Sequence, residues 1–137
     1  MIEELQLPVR NALARAKPDE FLCPGSLVRI EVDSSHPVTF GLPAWTPAFL
    51  DGPLAFQTAM PGGEMTRRVL ASYPSEARDV LVSGWIRGEE RLVRNAAAVA
   101  LTHGKGKLVL LGFRAQHRAQ TNATFPFLFN ALSWSVM

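Results

Sequence analysis

The chain has 137 residues, 47% of them hydrophobic and 19% charged, which suits one domain, residues 1–137, able to bury a core, and excludes a disordered chain. Fourteen Lys and Arg stand against twelve Asp and Glu for a net charge of +2, and the arginines are scattered rather than striped, so nucleic-acid binding is not expected. No apolar run approaches the roughly 18 residues that a bilayer-crossing helix needs, and the acidic start Met1-Ile2-Glu3-Glu4 does not read as a signal peptide.

Ten Pro and ten Gly imply short elements and much loop. Leu5, Val9, Ala12, Leu13 and Ala16 recur at helical spacing, which predicts a short amphipathic helix over 8–16, with Pro8 in its first turn. Lys17-Pro18-Asp19 ends it, and a turn carrying Cys23-Pro24-Gly25 follows. Ser26 to Asp33 alternates apolar residues with Arg29 and Glu31, the pattern of a strand with one wetter face. Prolines 37, 43, 47 and 53 make 34–53 mostly loop. Short strands are expected at 54–58 and 67–73 around the Pro61-Gly62-Gly63 turn, then a packed Trp85-Ile86 and a helical turn in 88–93.

The clearest feature is a β-hairpin. Ala96–Thr102 and Lys107–Phe113 are β-rich runs joined by His103-Gly104-Lys105-Gly106. Ala123–Trp134 then reads as a helix with Phe125, Phe129 and Leu132 on one stripe, Leu128 beside it and Pro126 in the first turn. There is no internal repeat.

No catalytic constellation can be assembled. The three histidines, His36, His103 and His117, are far apart and lack the spacing of a zinc motif. Cys23, the one cysteine, allows no internal disulfide, and Pro24 directly after it removes the backbone N–H that a nucleophile elbow would use. Ser26, Ser83 and Ser133 have no G-x-S-x-G frame. Gly104-Lys105-Gly106-Lys107 leads into a strand, not a helix, so it is a hairpin turn rather than a phosphate loop. No metal or cofactor is expected.

One polar stretch stands out. Arg114, Gln116, His117, Arg118 and Gln120 follow an apolar strand and precede a helix, a position where binding groups often gather. Two readings stay open. These side chains tie the last helix down through loop carbonyls, or they hold a small anion such as a carboxylate, for which Arg is well shaped.

Three stretches taken in order carry a family resemblance. They are Pro24-Gly25-Ser26-Leu27 through Asp33 with His36-Pro37 and Gly41-Leu42-Pro43; Ser83-Gly84-Trp85; and Gly104-Lys105-Gly106 through Gly112-Phe113-Arg114, Gln116, Arg118-Ala119-Gln120-Thr121 and Phe129-Asn130-Ala131-Leu132. Over residues 5–134 this resembles the C-terminal end of large bacterial proteins of the M14 zinc-carboxypeptidase type, in which a class I glutamine-amidotransferase-like domain follows the peptidase. The resemblance implies an α/β, flavodoxin-like fold present in part, a mixed sheet with a C-terminal β-hairpin and terminal helix.

It also implies that no catalytic residue is carried over. The peptidase's His-x-x-Glu is absent, the amidotransferase elbow cysteine is missing, and His117 stands near the family histidine without its Pro-Glu. The expected role is a non-catalytic accessory or interaction domain. A partial domain leaves an edge or apolar face uncovered, so a homo-oligomer or the remainder of a longer parent is the expected partner. The alternatives are the anion-binding module and an amidase-type hydrolase completed by another subunit, to which only Cys23 and His117 could contribute. The resembling parents are often exported, and this chain assigns no compartment of its own.

Overall fold

The computed structural model describes residues 2–119 and 121–137. Among these residues eight strands form one sheet: β1 (Val9–Asn11), β2 (Ser26–Val32), β3 (Trp45–Leu50), β4 (Phe56–Thr58), β5 (Met65–Ser72), β6 (Leu81–Ser83), β7 (Ala96–His103) and β8 (Gly106–Leu111). One helix, α1 (Phe125–Val136), follows them. The main path runs β1-β4-β7-β5-β2-β3, with β8 added to β7 and β6 to β2.

All of these pairings are antiparallel. The flavodoxin-like α/β expectation is therefore overturned. Parallel strands need long crossovers, usually helical. Here the links between strands hold only three-residue 3-10 turns at Pro37–Thr39, Ala77–Asp79 and Glu89–Arg91. The strand sequences agree with this. β2 buries Ser26, Val28 and Ile30 and leaves the residues between them wetter, the one-sided pattern of an antiparallel sheet.

The sheet also curls. Past β8, the Arg114 N–H donates to the Phe49 carbonyl of β3 at 2.9 Å, an isolated antiparallel bridge. The path β3-β2-β5-β7-β8 thus returns to β3 as an open barrel fastened at one point. Val28, Ile30, Ala48, Leu50, Leu70, Ala98 and Ala100 belong to the main core, which also includes Phe127 of α1. Alternate residues of β7 point the other way. Val99 and Leu101 join Leu7, Val9, Phe56 and Leu110 in a second cluster beneath the N-terminal segment.

That second cluster explains why 8–16 is not a helix. Leu7 and Val9 are both buried, β1 pairs with β4, and residues 12–15 form turns. The Asn11 Oδ1 accepts from the N–H groups of both Leu13 and Ala55, at 3.0 and 3.2 Å, which stabilises the turn over a continued strand. The expected loop over 34–53 contains β3. Its Pro47 is tolerated because β3 is the terminal strand of the path. The strands at 26–33, 54–58 and 67–73, the turn in 88–93, the hairpin and the last helix lie where expected, within two residues at each boundary. Among the described residues, no helix is long and apolar enough to cross a membrane.

Two glycines are demanded by close approach. A Cβ on Gly88 would lie 2.1 Å from the Glu20 carbonyl oxygen, beside the Leu22–Arg87 bridge. A Cβ on Gly84 would lie 2.5 Å from the Ser26 Oγ. Both residues also have positive φ, +80° and +108°.

Candidate functional site

Within the polar stretch after β8, the described contacts bring Arg114 and His117 together. Gly112 donates to the Ala97 carbonyl at 2.7 Å, and Phe113 is buried with its ring edge-on to Phe127, centroids 5.3 Å apart. Arg114 therefore emerges at the rim of β3, where its Nη2 lies 2.7 Å from the Asp51 Oδ2. The His117 ring lies flat on Phe49, centroids 4.2 Å apart, with its Nδ1 3.3 Å from the Arg114 Nη1. Gln116 and Arg118 are exposed, and Gln120 lies outside the described residues. Arg114 already has a carboxylate partner, so the group best suited to an incoming anion is neutralised in place.

Other groups hold the last helix. Thr124 Oγ1 donates to the Ala115 carbonyl at 2.9 Å, Lys107 Nζ to the Trp134 carbonyl at 2.8 Å, and Asn130 Nδ2 to the carbonyls of Val38 and Phe40 at 3.1 and 2.8 Å. Asn130 lies in one of the segments that carry the family resemblance. In the fold it braces α1 against the 3-10 turn at 37–39.

Cys23 is buried, and its Sγ donates to the Leu50 carbonyl at 3.3 Å. Burial pushes its thiol up, above the ordinary range. That holds it neutral, the wrong state for a nucleophile. His103 is at the hairpin tip, and His36 packs edge-on against Trp134 at 5.0 Å. Among the described residues no group of three or more His, Cys, Asp or Glu is placed to hold a metal ion.

A second polar cluster lies near α1. Asp33 accepts from the Ser35 hydroxyl and amide at 2.6 and 3.0 Å and from Arg68 at 2.7 Å. The Ser35 bonds first, and Arg68 after them, hold its carboxyl down at about 2. Next to it, His36 Nδ1 accepts from the Val38 N–H at 3.2 Å. Burial, followed by the Arg68 charge, lowers the His36 pKa. These contacts hold the turn that supports α1.

The feature that sequence reasoning missed is the outer face of that helix. Phe127, Asn130, Ala131 and Trp134 form its inner face, at i, i+3, i+4 and i+7. Of the expected stripe, Phe125 is half-buried and the rest points outward. Phe129 and Leu132 are exposed, together with Leu128 and Val136. Beside them a groove of about 440 Å³ is lined by Pro37, Phe40, Asn130, Ser133, Trp134 and Met137. The available signal was the absence of any charged residue from Phe125 to Val136. A helix that is apolar all round is normally covered on every side.

The chain matches no protein-family model, no curated protein and no solved structure.

Proposed function

We propose that this chain is a non-catalytic accessory domain that acts by packing against another polypeptide surface. That surface is either the rest of a longer M14-type peptidase chain or a second copy. The observation that carries the reading is α1, whose outer side sets Leu128, Phe129, Leu132 and Val136 in water with no charge among the twelve residues of the helix. A contiguous apolar face of this kind marks an interaction site.

The motifs behind the M14 resemblance support a scaffold role. Ser26 and Trp85 bond to each other, Gly84 admits that contact, and Asn130 braces the helix. Anion binding has less support, since Arg114 is paired with Asp51. An amidase role has less still, since Cys23 is buried and neutral.

The test is an immunoblot of source cells after denaturing and native separation, with antibody raised to this chain. A denaturing band well above 15.0 kDa, or a 15.0 kDa band that runs as a complex under native conditions, is the expected result. A free 15.0 kDa monomer under native conditions contradicts the reading.

A further inference from the structure

We infer that the outer face of α1 is the two-fold contact of a homodimer, its occupant being a second copy of the same face. This rests on the interaction reading above and commits it to one partner.

Area is the first argument. Leu128, Phe129, Leu132, Val136, Met137 and Phe40 are between 40% and 87% exposed. At roughly 150–250 Å² for each phenylalanine and somewhat less for the aliphatic side chains, they hold on the order of 700 Å² open to water, near the ~800 Å² each partner brings to a standard interface. The face is thus of the size that one ordinary interface covers.

Charge is the second. A two-fold contact sets a patch against itself, so any charge on it meets its own like charge. The outer face of α1 carries none. Two copies can cross with Leu132 near the axis and Phe129 and Val136 exchanged on either side of it. The groove beside Trp134 can then receive an apolar side chain of the other copy.

Two polar side chains at or beside this face already have partners, while the exposed Ser133 hydroxyl at the groove needs water or a partner across the contact. Ser135 Oγ donates to the Leu132 carbonyl at 2.6 Å, and Asn130 Nδ2 is spent on the carbonyls of Val38 and Phe40. Covering them strands neither group, which removes the usual penalty for burying them.

Sedimentation equilibrium of the chain over a range of concentrations tests this. The wild type is expected to reach twice the 15.0 kDa chain mass. Leu132→Asp is expected to weaken the dimer by roughly 100-fold, the loss of a central anchor, with an unchanged circular-dichroism spectrum. If Leu132→Asp does not fold, Val136→Glu at the exposed helix end makes the same test. A wild type that stays monomeric throughout, or a dimer indifferent to both substitutions, overturns the inference. A monomer that binds an apolar dye and loses it in the variant overturns the second copy while leaving the interaction reading standing. A monomer whose dye response is the same in the variant removes both.

Discussion

The Ser26 hydroxyl accepts from the Trp85 N–H at 2.9 Å and donates to the Trp85 carbonyl at 2.7 Å, so one small side chain pins a segment 59 residues away along the chain. Gly84 makes this approach possible, since a Cβ there would collide with the same hydroxyl. Ser26→Ala is expected to cost about 1–2 kcal/mol through the lost bonds. Gly84→Ala is expected to cost more, because it adds an unfavourable positive φ to the clash. Urea unfolding of both variants checks the order. A Gly84→Ala protein as stable as the wild type would mean that the segment is not held this way.

Arg114→Ala is expected to cost less than about 1 kcal/mol, the range of an exposed ion pair. Because Asp51 occupies the guanidinium, acetate, citrate and phosphate should leave the melting temperature flat once ionic strength is matched. A rise that follows ligand concentration and vanishes in the Arg114 variant would establish an anion site after all.

Stability should fall in acid, by two routes with the same sign. His36 titrates below its ordinary 6.5 in the fold. The unfolded chain therefore takes up that proton more readily, and stability drops as pH falls from 6.5 towards the folded value. Asp33 titrates at about 2. Its contribution is full above the ordinary carboxylate range, near 4, and is lost as pH falls from there towards 2. His36→Asn keeps an acceptor for the Val38 N–H and should flatten the first segment of the curve. Asp33→Asn should flatten the second. Unchanged slopes in urea titrations at stepped pH would contradict the assignment.

The Tyr73 ring is fully buried in the main core, and its hydroxyl has no hydrogen-bond partner among the described residues. A buried polar group without a partner keeps its full desolvation cost. Tyr73→Phe should therefore raise stability by about 1 kcal/mol. A loss of that size in thermal or urea unfolding would mean that the hydroxyl is satisfied.

Local signals in the sequence survive in the fold, and signals that depend on distant partners do not. The hairpin of β7 and β8 is legible because its turn and both strands are adjacent in the chain. β2 is legible from its alternation. The segment 8–16 misleads because its helical spacing of Leu5, Val9 and Leu13 serves equally to bury Leu7, Val9 and Leu13 around a short strand, and only β4 decides between the two. β3 is hidden by Pro47, which an edge strand accepts. α1 is legible as a helix but not in its orientation, since periodicity cannot choose a face when nearly every face is apolar. The polar stretch is similar. Arg114 and His117 are neighbours in sequence, but the partners that fix their roles, Asp51 and Phe49, come from the distant rim of β3.

Amide hydrogen exchange of the chain at rising protein concentration tests most directly whether the outer face of α1 is covered by a second copy. Protection of residues 128–137 should grow with concentration while β5 and β7 exchange at a constant slow rate. Leu132→Asp should abolish the growth. Exchange across 128–137 that is the same at every concentration would contradict the claim that a second copy covers this face.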